Sequence, residues 1–311
     1  MAETIPKRRE LSVDEYVDGI LKNDRALLAR AITLVESNAK RHFQLAQEVI
    51  TRIMPKTGNS IRIGISGVPG AGKSTFIESF GTMLCEKVHR VAVLAIDPSS
   101  TITGGSILGD KTRMERLSRH PNAFIRPSPS GGVLGGVARK TRETLFLCEA
   151  AGYDVIIVET VGVGQSETAV RSMVDCFLLL MITGAGDELQ GIKKGIMEMA
   201  DIMLINKADG KNKKAAEQAR AELNRVLHLI PSVTEGWVTR VQTVSALEET
   251  GLEECWETIL EFEAHMKKTN QFYKRRAEQA ISWFHSLVEE QVLSRFYADE
   301  SVAKRLPKLE A

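Results

Sequence analysis

Gly67-Val68-Pro69-Gly70-Ala71-Gly72-Lys73-Ser74 places glycine, lysine and hydroxyl at the GxxxxGK[ST] spacing, which wraps a backbone around phosphate groups. Glycines there let successive N–H groups face phosphate oxygens with no Cβ in the way, and a helix beginning near Lys73 adds the positive end of its dipole. Lys73 can neutralise the β- and γ-phosphates, and the Ser74 hydroxyl, with Thr75 beside it, can ligate Mg²⁺. A second group, Asn206-Lys207-Ala208-Asp209, has the NKxD pattern that reads guanine. The Asp209 carboxylate can accept from guanine N1–H and the exocyclic amine, whereas adenine offers an acceptor at N1 and no amine at C2. The Lys207 stem would lie along the base, and Ser245-Ala246-Leu247 resembles the SA[KL] loop whose backbone amide donates to guanine O6.

The metal side of such a site needs oxygen donors. Glu159-Thr160-Val161-Gly162 closes an apolar run in the place of a DxxG motif. Its Glu159 carboxylate can hold Mg²⁺, through water because the side chain is longer, and the Gly162 amide can meet the γ-phosphate. Asp97 either joins this metal shell or caps the Asp97-Pro98 turn, and Asp110 either joins it or is a solvated loop charge. Gln165 can orient water or lie on the switch surface. No arginine finger or general base stands out, so slow intrinsic hydrolysis, accelerated when a partner orders the loops, is the expectation.

These groups need a scaffold that brings strand ends together. Residues 61–66 form a β-branched run leading into the phosphate loop, and a helical pattern follows over 72–87. Further apolar runs at 91–96, 155–158, 176–182, 202–205 and 238–244 alternate with helical stretches at 136–151, 191–199, 213–228 and 252–266. The alternation predicts an α/β fold of the P-loop NTPase type, a mostly parallel sheet with helices on both faces and ligands at the carboxyl ends of the strands. Residues 12–54 read as helices, with Ser12 as N-cap and Glu15 three residues on. A polar helical tail follows Lys267, with an apolar stripe of Trp283, Phe284, Leu287, Val288, Val292, Leu293 and Phe296. The expected parts are a helical extension over 1–58, a nucleotide domain over 59–267 and a helical extension over 268–311. The last part has too little core to stand alone, so it packs on the main domain or a second subunit.

Lys and Arg number 41 against 40 Asp and Glu, so the chain offers no excess charge for nucleic acid or an anionic membrane. No run of apolar residues is long enough for a membrane span, and no signal-peptide pattern follows Lys7-Arg8-Arg9. Cys85, Cys148, Cys176 and Cys255 lie far apart without a CxxC pair. Reduced thiols in a soluble cytoplasmic protein are the expectation.

Together the phosphate loop, Ile96-Asp97-Pro98-Ser99-Ser100, the block from Gly104-Gly105-Ser106 to Asp110-Lys111-Thr112-Arg113-Met114, and Glu159 through Glu167 resemble the MeaB/ArgK family of G3E-class GTPases. That resemblance runs from the N-terminal helices to about Lys304. It implies a SIMIBI-like sheet and a chaperone of adenosylcobalamin-dependent methylmalonyl-CoA mutase, in which GTP hydrolysis gates cofactor delivery and protects the mutase. Adenosylcobalamin enters through that partner. The resemblance also places a third switch at about 184–193, in which Lys193 is a catalytic or coupling candidate, or else part of an ordinary solvated loop. Relatives' chains continue beyond the point matching Ala311, and the extension contributes to homodimer formation, so the Trp283–Phe296 stripe either pairs two subunits or packs within one chain. Rival readings are a GTPase for another metal or cofactor insertion system and an ATP-dependent kinase of basic amino-acid transport. Scattered histidines and isolated cysteines count against a nickel or zinc insertase, and Asp209 counts against ATP.

Overall fold

The computed structural model describes residues 9–37, 39–96, 114–127, 134–160, 166–183, 194–227, 232–302 and 305–306. Helix α1 (Val13–Leu21) begins with a capping box: the Ser12 hydroxyl accepts from the Glu15 amide, and the Glu15 carboxylate accepts from the Ser12 amide. Asp24 caps α2 (Arg25–Glu36), and α3 (Lys40–Ile53) runs into a 3-10 turn carrying Pro55. After this helical entry the chain alternates: β1 (Ile61–Gly67), α4 (Lys73–Glu86), β2 (Val91–Ile96), α5 (Glu115–Arg119), β3 (Ala123–Pro127), α6 (Leu134–Ala150), β4 (Val155–Thr160) and α7 (Ser166–Arg171). It continues with β5 (Cys176–Met181), α8 (Lys194–Glu198), β6 (Ile202–Ile205), α9 (Lys213–Leu227), β7 (Arg240–Thr243), α10 (Leu252–Lys268) and α11 (Gln271–Ala298).

All seven strands pair in parallel, in the order β3-β2-β4-β1-β5-β6-β7. The apolar runs are continuous because β1, β2, β4 and β5 are buried along their whole length, as strands covered on both faces must be. Alternate residues serve opposite layers. Ile61, Ile63 and Ile65 pack with Phe76 and Phe80 of α4 and Ile259 and Phe262 of α10. Ile156, Val158, Phe177 and Leu179 pack with Leu145 of α6, Val170 of α7 and the N-terminal residues Ile20, Leu28 and Ile32.

At the amino-terminal end of the sheet, an aspartate stands one residue ahead of three strands and ties each to its neighbour. Asp154 accepts from Arg90 N (2.6 Å), Asp175 from Arg62 N (2.9 Å) and Asp201 from Phe177 N (2.9 Å). The start of α11 is fastened to this base. Arg276 bonds both oxygens of Asp175 (2.8 and 2.6 Å), Arg275 reaches Thr234 Oγ1 (2.8 Å) and the Asp175 carbonyl, and Gln279 Nε2 donates to Val174 O (2.8 Å). Arg171, at the end of α7, forms a bidentate pair with Asp201, and buried Arg142 of α6 spans the carbonyls of Ser172 and Gln279.

The stripe on the C-terminal tail divides. Trp283 packs edge-on against Phe146 at 5.4 Å, whereas Phe284, Val288, Val292, Leu293 and Phe296 are exposed. The run at 238–244 is a strand only over Arg240–Thr243, while residues 191–193 of the predicted helix at 191–199 lie outside the described residues and the described part is helical over Lys194–Glu198. Edge strand β3 was not expected at all: five residues ending in Arg126-Pro127 give too short an apolar run to stand out.

Candidate nucleotide site

Strands β1, β4, β5 and β6 carry their carboxyl ends to one side of the sheet, and the phosphate loop leaves β1 there. Pro69 and Gly70 are exposed, Ala71 is buried, and α4 begins at Lys73. Gly72 is the N-cap at φ +83°, and a Cβ there would lie 2.8 Å from Asn206 Nδ2, so only glycine lets the loop turn against the NKxD segment. Half-buried Lys73 donates from Nζ to Gly67 O (2.8 Å) and Val68 O (3.5 Å). Burial lowers its pKa, while the charges of Glu159 and Glu167 act in the opposite sense. An ammonium held by carbonyls across its own loop can exchange them for phosphate oxygens.

Ser74 Oγ donates to Glu159 Oε1 at 3.4 Å, bringing a hydroxyl and a buried carboxylate together across the end of β4. Both are hard oxygen donors beside the phosphate loop, and this set fits Mg²⁺, which takes one or two protein oxygens and completes its shell with phosphates and water. Asp97 and Asp110, the other metal candidates, lie outside the described residues, as do Gly162, Gln165 and Lys193.

Buried Asn206 joins the two halves of the site. Its Nδ2 donates to Ala71 O (2.8 Å) in the phosphate loop, and its Oδ1 accepts from Ala246 N (3.2 Å). Asp209 Oδ2 accepts from the Ser245 hydroxyl at 2.6 Å, which holds the carboxylate beside the SA[KL] loop. Ser245 is itself fixed by paired backbone bonds with Thr250 (3.0 and 3.1 Å). Ala246 is gripped from both sides, since its carbonyl accepts from Ser79 Oγ of α4 (2.7 Å). Its N–H already serves Asn206, so a base O6 arriving there would share that donor. Lys207 is exposed in the left-handed region (φ +59°), and its carbonyl accepts from Asn212 Nδ2 (2.7 Å). Leu247 is 79% exposed, leaving an apolar surface on the other strand end that a base can cover.

The structure therefore gathers Gly67, Val68, Ala71, Gly72, Lys73, Ser74, Glu159, Asn206, Lys207, Asp209, Ser245, Ala246 and Leu247 at one end of the sheet. Motif spacing does not single out Ser79 or Asn212, which hold Ala246 and Lys207 in place. Asn212 falls three residues after Asp209, where a helix-entry polar residue would be sought, but nothing in the local sequence marks Ser79.

The profile of the family described as "Methylmalonyl Co-A mutase-associated GTPase MeaB" matches residues 28–301. GTPase ArgK of Escherichia coli K12 is 50% identical over 291 residues, covering 94% of this chain and 88% of its own. The mitochondrial methylmalonic aciduria type A homolog of Mus musculus is 46% identical over 318 residues, covering 99% of this chain and 77% of its own. A solved structure named LAO/AO transport system kinase superposes with a TM-score of 0.78 at 42% identity, covering 96% of this chain and 91% of that one.

Proposed function

The chain belongs to the MeaB family of GTPases, and on that premise we propose that it hydrolyses Mg²⁺·GTP to gate adenosylcobalamin delivery to methylmalonyl-CoA mutase and to protect that enzyme. The observation that carries the nucleotide half is Asn206, one side chain bonded to the phosphate loop at Ala71 and to the base-side loop at Ala246. Such a link sets the phosphate and base subsites at a fixed separation, which suits one nucleotide bound across both. The mutase half is supported by the family's description and by the homolog named for methylmalonic aciduria.

Lys73 leaves Gly67 O for the β- and γ-phosphates, and the backbone amides of residues 68–74 receive the phosphate oxygens. Asp209 accepts from the Watson–Crick edge of guanine, with Lys207 and Leu247 on the two base faces. Ser74 and Glu159, joined by Asp97 and Asp110, would hold Mg²⁺, which would supply positive charge against the phosphate oxygens. Gly162 meets the γ-phosphate, Gln165 positions water, and Lys193 couples the third switch to hydrolysis. Little covalent chemistry is asked of the protein, so the rate depends on how well these groups are ordered, and a partner that orders them raises it.

The exposed Phe284, Val288, Val292, Leu293 and Phe296 on α11 recur at helical spacing, which favours pairing of two copies through this face. Four buried thiols in no disulfide suit a reducing compartment, in keeping with a cytoplasmic location. Among the described residues no helix is long and apolar enough to cross a membrane.

Calorimetry with GTP, GDP and ATP in the presence of Mg²⁺ tests the nucleotide half; guanine nucleotides should bind and ATP should not. Sedimentation of the chain mixed with a purified adenosylcobalamin-dependent methylmalonyl-CoA mutase, under GTP, GDP and no nucleotide, tests the client. Identical behaviour in all three conditions would remove the client half.

A further inference from the structure

Residues 161–165 lie outside the described residues, but the side chains on either side of them converge on a single hydroxyl. Thr160, the last residue of β4, donates from Oγ1 to Ser66 Oγ (2.9 Å), and Ser66 Oγ donates on to Glu167 Oε1 (3.5 Å) in the first turn of α7. All three are buried: Thr160 is 0%, Ser66 1% and Glu167 2% exposed. Ser66 immediately precedes Gly67, whose carbonyl holds the Lys73 ammonium. A chain of hydroxyls that ends on a carboxylate strengthens each of its bonds, and the direction of donation here is fixed by that acceptor.

An acid this deeply buried needs a reason. A helix can be started by an exposed acid or a neutral polar residue, without withdrawing a carboxylate from water. Glu167 reaches the phosphate loop through the Ser66 hydroxyl and, through its charge, the Lys73 ammonium. Glu159 acts on Lys73 from the Ser74 side and Glu167 from the Ser66 side, so two carboxylates balance that ammonium as it moves between carbonyl and phosphate.

We propose that Glu167 is a positioning residue for GTP hydrolysis: through Ser66 it ties the end of β4 and the first turn of α7 to the start of the phosphate loop, whose Gly67 carbonyl holds the Lys73 ammonium, and so sets that ammonium against the transferring phosphate. This rests on the nucleotide reading above. Because it acts on the alignment reached at the transition state, its loss lowers turnover and leaves ground-state binding alone.

The test uses the full chain with Glu167→Gln, which keeps the shape and drops the charge, and Ser66→Ala, which removes the bridge. Single-turnover GTP hydrolysis, and affinities for GDP, a non-hydrolysable GTP analogue and GDP with aluminium fluoride, are measured beside the thermal midpoint. For Glu167→Gln the rate and the aluminium fluoride affinity should fall together by about tenfold or more, with GDP and the analogue changing by less than about threefold. Ser66→Ala should move the same pair of quantities by about threefold, and it decides the matter if Glu167→Gln does not fold. A rate within twofold of the unsubstituted chain (about 0.4 kcal/mol), or a uniform loss for every ligand in step with a lowered thermal midpoint, overturns the assignment. If the unsubstituted chain itself binds no guanine nucleotide, it is the nucleotide reading that fails.

Discussion

Asp209 meets the Ser245 hydroxyl at 2.6 Å, and that contact sets the carboxylate beside the loop that, in the proposed reading, flanks the purine. Replacing Asp209 by Asn leaves one acceptor and adds one donor, which suits the C2 carbonyl of xanthine and clashes with the amine of guanine. GTP affinity should fall by about 30- to 100-fold, the ~2–3 kcal/mol of an unsatisfied buried donor, while XTP affinity rises; competition binding reads both. Lys73→Ala should weaken GTP binding by about 2–3 kcal/mol and leave the circular dichroism and thermal midpoint of the sheet nearly unchanged, since its present partners are two carbonyls of its own loop. Tight GTP binding by that variant would count against the proposed role. That these residues meet at one end of the sheet was legible in the sequence because their motifs hold them at fixed short spacings after strand ends. Ser66 with Glu167 was not legible, since the two are 101 residues apart and only the closed sheet brings them together.

Among the elements, α7 shows how closely a short helix can be bound to the strand beneath it. A Cβ at Gly64 of β1 would lie 2.8 Å from Val170 Cγ1, 2.9 Å from Phe177 Cδ2 and 3.0 Å from Val174 Cγ2. Gly64→Ala should therefore destabilise the fold by about 1–3 kcal/mol through overpacking, measured by urea denaturation at unchanged slope. Should it prove neutral, α7 would have to ride more loosely on β1 than these distances allow. The major strands were readable because burial on both faces makes them continuous apolar runs, and Ser12 with Glu15 announced α1. Six-residue α7 and five-residue α5 were not, because neither is long enough to show a helical period. The aspartates ahead of β4, β5 and β6 are a signal that could have been used, marking the base of each strand where a neighbour's N–H needs an acceptor.

For the molecule as a whole, α11 joins the base of the sheet with arginines and leaves its distal face bare. Arg276→Ala removes the cation from Asp175, a buried carboxylate that would keep only the Arg62 N–H among these bonds, and should cost about 2–3 kcal/mol of stability by thermal denaturation. On the distal face, Phe284→Glu with Val288→Glu should convert a dimer to a monomer in sedimentation velocity without lowering the thermal midpoint of the sheet, since both side chains are exposed in one copy. A single species of monomer mass before substitution would dispose of the pairing. The sequence showed the stripe but not its division, because Trp283 differs from its neighbours only in facing Phe146. The turn between α7 and β5 is shared property: Arg171 ends α7 on Asp201 and Ser172 is held by Arg142 of α6, while Val174 and Asp175 are held by Gln279 and Arg276 of α11. A long helix and a short one thus meet at one turn, and α11 is restrained again further along, where Glu290 pairs with Arg139 of α6 at 2.8 Å, so a shift of that turn would be carried into both α11 and α6.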